Sequence, residues 1–145
     1  MLRIQLFGPP TVFDNERPVL IKRRTTRGLL FYLAGVGRPV TREHLMDRFW
    51  PDLPLDKQRA ALRDNLAKLR VSLPDKRILL TPPEVVSLDS CKVWVDLFEM
   101  QTRLFSINSI AWKIPEGQPL PAALYNQMAE AVHLWSGQRF LAGSE

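Results

Sequence analysis

Apolar and polar residues alternate along Leu2-Arg3-Ile4-Gln5-Leu6-Phe7 and the alternation stops at Gly8-Pro9-Pro10, which predicts a half-buried strand closed by a turn. Thr11 to Phe13 and Pro18 to Ile21 flank the turn-forming Asp14-Asn15-Glu16-Arg17, so the chain opens with a small antiparallel sheet of three strands. The period becomes helical at Thr25-Thr26, where a threonine oxygen is expected to cap a helix carrying Leu29, Leu30, Phe31 and Leu33 and ended by Gly35 and Gly37. After an extended Pro39-Val40, Thr41 caps a second short helix with Glu43 in its first turn and Leu45, Met46, Phe49 and Trp50 on its apolar side. Trp50-Pro51 closes that helix, because proline drives the residue before it out of helical geometry.

The longest helical pattern runs from Asp56 to Leu73 without glycine or proline. Leu62, Leu66, Leu69 and Leu73 recur at spacings of four, three and four and fall on one face. The opposite side carries Lys57, Ala60, Arg63, Asp64, Ala67, Lys68 and Val71, with Arg59 and Arg70 toward one flank. Ile78 to Thr81 and Val85 to Leu88, separated by Pro82-Pro83-Glu84, form a hairpin. Beyond Cys91 the pattern turns helical again: Asp96 caps a helix with Leu97, Phe98, Met100, Leu104 and Phe105, and Pro121 opens another with Leu124, Met128, Ala131, Val132 and Trp135. Ser106 to Gln118 reads as a long connection, with Trp112 in an irregular stretch, while Trp50, Trp94 and Trp135 read as core. The expected fold is α+β: a winged helix-turn-helix with an N-terminal antiparallel sheet and a C-terminal wing hairpin over residues 1–91, followed by helices over residues 92–145.

Charge sharpens this picture only when it is divided by position. Residues 1–91 hold sixteen Lys and Arg against ten Asp and Glu, and residues 92–145 hold four against five, so the basic excess belongs to the first part. A basic domain of this kind suits a polyanion, although charge alone fits nucleic acid, an anionic membrane or merely a soluble surface. The apolar runs fall short of the roughly 20 residues a membrane helix needs, and no signal peptide opens the chain, so a cytoplasmic location without membrane contact is expected, nucleoid-associated where the polyanion is DNA. One cysteine, Cys91, and two histidines, His44 and His133, provide neither an internal disulfide nor a zinc-ligand set. Gly35-Val36-Gly37 lacks the third glycine and the preceding strand of a dinucleotide loop. No nucleophile is spaced with a recognisable base, so no cofactor is expected and the chain does not read as an enzyme.

A helix about 10–12 Å across fits the major groove. With its leucines turned inward, the long helix presents Arg63 and Lys68 near the middle of its exposed side as candidates for base-edge or phosphate contact, and Arg59 and Arg70 as phosphate ligands. Asp64 either accepts from a cytosine amino group or orients a neighbouring arginine, and Ala67 leaves the surface low. The helix starts near Arg23, Arg24, Thr26 and Arg27, and near Thr41 and Arg42, offer further phosphate contacts. The competing reading is a winged helix used as a protein-docking module without DNA binding. The basic helix face weighs against it, since a docking helix more often shows a large apolar anchor there.

These residues also carry a family resemblance. Leu2 to Pro9, Arg17-Pro18-Val19, Gly37 to Asp47, Phe49-Trp50-Pro51-Asp52, and Ala60 to Arg70 together resemble the Streptomyces antibiotic regulatory protein (SARP) family over roughly residues 2–105. The resemblance implies an OmpR/PhoB-type winged helix followed by a bacterial transcriptional activator domain with tetratricopeptide-like (TPR-like) repeats. Asp96-Leu97-Phe98-Glu99 and Ala131 to Gly137 look like the start of that second domain, which the remaining residues are too few to complete, so a truncated domain is expected. It further implies double-stranded DNA as partner, direct repeats bound by protomers associating head to tail, and RNA polymerase contact through the loop Pro51, Asp52, Leu53 and Pro54. Two positions differ from the family pattern: the wing tip is Pro82-Pro83-Glu84 where relatives carry glycine and arginine, and position 64 is acidic.

Overall fold

A computed structural model describes residues 1–111, 114, 117–119 and 121–135. Its elements follow the order β1 (Leu2–Gln5), β2 (Thr11–Asp14), β3 (Arg17–Pro18), α1 (Arg24–Val36), β4 (Val40–Thr41), α2 (Arg42–Phe49), α3 (Leu55–Ser72), β5 (Leu79–Leu80), β6 (Val85–Leu88), β7 (Val93–Val95), α4 (Asp96–Ala111) and α5 (Ala122–Trp135). Two compact units result, Met1–Ile4 with Thr11–Trp94, and Gln5–Pro10 with Val95–Glu145.

In the first unit β2 and β3 pair antiparallel, Phe13 opposite Pro18 and Asp14 opposite Arg17. The two residues between them, Asn15 and Glu16, both have positive φ, 44° and 72°. That is the turn geometry whose twist matches a tight hairpin, and asparagine suits it. The third strand is Arg17–Pro18, shorter than the expected Pro18 to Ile21, and Pro18 is tolerated in it because its position opposite Phe13 is one whose N–H would point away from β2. After one further bond, from Val19 N to Val12 O at 2.9 Å, the chain leaves the sheet. The sheet also has a fourth strand that the pattern did not suggest, β7, giving the order β3-β2-β1-β7. Its three residues, Val93-Trp94-Val95, are too few for alternation to stand out beside a helix start.

Helix α1 begins at Arg24, with Arg23 in the capping position and no side-chain cap, so the expected threonine cap is not formed. Thr26 instead stands on the inward stripe with Leu29, Leu30 and Leu33, only 1% exposed. The helix runs through Gly35 and ends at Gly37, whose φ of 65° lets its N–H reach back to Leu33 O at 3.1 Å. Thr41 caps α2 as expected, its Oγ1 accepting from His44 N at 3.1 Å. In α3 the four-leucine face is buried: Leu62, Leu66, Leu69 and Leu73. Each such side chain contributes roughly 1.5–3 kcal/mol, which outweighs any exposed ion pair on the helix.

The wing differs in detail from a simple hairpin. Ile78 lies in a 3-10 turn, Lys76–Ile78, so β5 begins at Leu79 and pairs with β6 (Leu79 opposite Leu88). β4, expected as an extended link, is the third strand of this sheet, in the order β4-β6-β5 with Val40 opposite Val86. Trp50 and Trp94 are half-buried and not core. Trp94 lies under the Arg3 guanidinium, 4.7 Å from the ring centre.

In the second unit α4 packs against α5. Helix α4 continues to Ala111, through the first part of the expected long connection, because Ser106 to Ala111 contain no breaker and Ser109 Oγ bonds back to Phe105 O at 2.9 Å. Buried Asp96 starts α4, and its carboxylate also accepts from Leu6 N (2.9 and 3.0 Å), Phe7 N (3.1 Å) and Leu97 N (2.8 Å). Arg103 ties the helices together, paired with Glu99 at 3.0 Å and with Glu130. Leu124 and Ala131 are buried, whereas Leu104, Phe105, Met128 and Val132, expected on apolar faces, are exposed. Among the described residues no helix is long and apolar enough to cross a membrane. Trp112, the side chain of Trp135, Ser136 and Gly137 lie outside the described residues.

Candidate nucleic-acid interface

The leucine stripe of α3 fixes which side of the helix faces out. Lys57, Arg59, Ala60, Arg63, Asp64, Ala67, Lys68 and Val71 are all exposed. Ala60 and Ala67 hold no atoms beyond Cβ, so a partner surface can approach the backbone there. Arg59 and Arg63 have no hydrogen-bond or ion-pair partner among the described residues. Long cations without partners on a low, rigid ridge are well placed for a polyanion.

Asp64 organises the neighbouring charges. Its Oδ2 accepts from Arg23 Nη1 at 2.8 Å and from Lys68 Nζ at 3.0 Å. These two bonds, that from Lys68 first, hold its carboxyl below the ordinary carboxylate value. The cluster joins the segment before α1 to α3 with a net formal charge of +1, and its members stay about half exposed.

The remaining candidate residues divide by what they touch. Arg24 and Arg27 are exposed at the start of α1, with Arg27 Nη1 on Ile21 O at 3.2 Å. Thr26 is buried and donates from Oγ1 to Asn65 Oδ1 at 2.8 Å, so its side chain is engaged inside the domain. Thr41 is exposed, its oxygen used as the α2 cap. Arg42 reaches the wing, with Nη2 on Thr81 O (3.3 Å) and Pro82 O (3.2 Å), and its backbone N bonds Glu84 O at 3.0 Å. Half-buried Arg70 reaches the same place, Nη2 bonding Thr81 Oγ1 at 2.5 Å and Leu79 O at 3.3 Å. Two arginines expected on phosphate thus converge on the root of the wing tip. Pro51, Asp52, Leu53 and Pro54 are all exposed, and the loop is pinned by Gln58 Nε2 on Trp50 O at 2.7 Å.

Asn65 and Gln58 escaped the sequence reading. Both are buried and both lie on the leucine face, since positions 58, 62, 65 and 69 follow spacings of four, three and four. A polar residue inside an apolar stripe is the available signal, because such a group is buried only with a partner. An open groove beside α3 is lined by Leu20, Ile21, Arg23, Lys68 and Val71 among others. No group of three metal-ligating side chains occurs among the described residues.

The arrangement of helices, sheets and hairpin is a mixed α+β winged-helix fold. No protein-family model matches the chain, and no curated protein matches it. Among solved structures it is similar to Mycobacterium tuberculosis EmbR in complex with a low-affinity phosphopeptide, with a TM-score of 0.67 and 20% identity. The match covers 97% of this chain and 37% of that one. At that identity the likeness is one of fold, and the chain spans little more than a third of the solved structure's length.

Proposed function

We propose that this chain binds double-stranded DNA sequence-specifically as part of a bacterial transcription regulator of the SARP type, with α3 as the recognition helix in the major groove. The observation that carries the reading is the outward face of α3, where Arg59, Arg63 and Lys68 stand exposed over the low Ala60 and Ala67 while the leucine face anchors the helix. Arg24, Arg27 and Thr41 add phosphate contacts at two helix starts, and Arg42 and Arg70 act chiefly by holding the wing. In this reading residues 1–91 are the DNA-binding domain and residues 92–145 begin a TPR-like activator domain. Protomers associate head to tail on direct repeats, and Pro51 to Pro54 meet RNA polymerase. The protein works in the cytoplasm at the nucleoid, as an activator and not as an enzyme.

A second reading, a protein-docking winged helix, is favoured by one feature: Leu20 and Val71 are both highly exposed and line the groove beside α3. Selection of a randomised duplex library on the protein, followed by fluorescence anisotropy and a salt titration on the enriched sequence, decides between the two. Enrichment of a spaced repeat with affinity falling steeply as salt rises is expected for DNA recognition. Absence of both enrichment and salt-sensitive binding overturns it in favour of docking.

A further inference from the structure

We infer that Asp64 reads a cytosine in the bound DNA, accepting a hydrogen bond from the exocyclic amino group through Oδ1, with Arg23 and Lys68 as positioning residues. The inference rests on the DNA-binding reading above and names a base that this surface selects.

The two carboxylate oxygens are not equivalent. Oδ2 takes both cations, at 2.8 and 3.0 Å, whereas Oδ1 accepts nothing among the described residues. The side chain is 52% exposed, and the alanines on the same helix face at 60 and 67 leave the space around it open. A bare carboxylate facing DNA is repelled by phosphate. Here the two cations on Oδ2 reverse the local sign, so the free oxygen can approach a groove without a net like-charge penalty. Arg23 comes from outside α3 and Lys68 from one turn further along it, so the carboxylate is held from two directions and its rotation is limited.

An ionised carboxylate only accepts hydrogen bonds. In the major groove cytosine presents only a donor, its N4 amino group; guanine and thymine present acceptors, and adenine presents one of each. An acceptor-only group therefore favours cytosine and rejects guanine and thymine. The depressed carboxyl of Asp64 keeps the group acceptor-only at any ordinary assay pH.

The test is library selection and anisotropy on the full chain and on Asp64→Ala, Asp64→Asn and Lys68→Met. With wild type, replacing one C·G pair of the selected site by T·A is expected to weaken binding about 5- to 150-fold, the range for one good base contact. Asp64→Ala loses that discrimination at the one base pair and at no other. Asp64→Asn shifts it toward adenine, whose donor and acceptor an amide matches. Lys68→Met narrows the cytosine preference at the same pair. Unchanged urea midpoints show that the variants fold. If wild type selects a site and Asp64→Ala keeps every base preference, the cytosine assignment is overturned while DNA recognition stands. If wild type selects no sequence, DNA recognition falls and the assignment falls with it.

Discussion

The Thr26 hydroxyl donates to Asn65 Oδ1 at 2.8 Å inside the first unit, and Asn65 Nδ2 donates in turn to Ala61 O at 2.8 Å. Both side chains are 1% exposed. This bond registers α1 against α3 at a point where the leucine contacts alone would permit sliding, since packing of apolar side chains is non-directional. It therefore sets where the outward face of α3 points relative to Arg23 and the start of α1.

Asn65→Ala should accordingly destabilise the domain by about 1–3 kcal/mol, because it leaves the Thr26 hydroxyl buried without an acceptor. Replacing both members, Thr26→Val with Asn65→Leu, should recover much of that loss, since no polar group is then stranded. Urea unfolding of the single and double variants measures the difference. Additive losses in the pair would mean that the bond is not what couples the helices.

A sharper contrast lies between adjacent residues of α3. Leu69 is fully buried, so Leu69→Ala should cost about 2–5 kcal/mol. Lys68 is about half exposed and, among the described residues, its ammonium is joined only to Asp64, so Lys68→Ala should change stability by less than about 1 kcal/mol and yet weaken DNA binding. Circular dichroism and anisotropy on both variants separate the two roles. Loss of the folded signal in Lys68→Ala would show that this residue has been placed on the wrong face.

Much of this division was legible in the sequence, because a long helix with leucines at fixed spacing declares its buried side. Thr41 was legible as a cap for a similar reason, as the helix follows it directly. Thr26 was not, because an oxygen near a helix start serves equally as a cap or as a buried donor, and only the position of Asn65 across the core decides. For Arg42 and Arg70 the contacts with the wing were not legible. A cation beside a candidate DNA surface carries no mark of whether its nearest acceptor is a phosphate or a carbonyl of its own chain, here those of residues 79, 81 and 82. The strand Val93–Val95 was missed because it is too short to show alternation and its pairing with β1 joins segments far apart in sequence.

The convergence of Arg42 and Arg70 on the wing predicts that Arg70→Met loosens the hairpin. The substitution keeps the apolar stem and removes the bonds to Thr81 Oγ1 and Leu79 O. Hydrogen bonds from a charged donor contribute about 1.5–3 kcal/mol, so a destabilisation within that range is expected. Backbone amide exchange should quicken in β5 and β6 first, with the α3 amides following only as global stability falls. Uniform acceleration through α3 and the wing alike would contradict a local anchoring role.

Acid should act on this protein through three ion-paired carboxylates. Asp64 beside Lys68 and Arg23, Asp75 beside Arg77, and Asp89 beside Lys92 all have carboxyls held below their ordinary value of 3.8 by hydrogen bonds to those partners. A carboxyl depressed in the folded state binds its proton more readily when unfolded. Its contribution to stability is therefore complete above the ordinary carboxylate value and is lost as pH falls through the lower folded values. Because Asp64 is exposed and Asp75 and Asp89 are only half-buried, the combined effect should be small and should shrink in high salt. Urea midpoints from about pH 6 down to about pH 2.5 should decline mainly below about pH 4. In Asp64→Asn/Asp75→Asn/Asp89→Asn that decline should be shallower; an identical decline would place the acid sensitivity outside these three ion pairs.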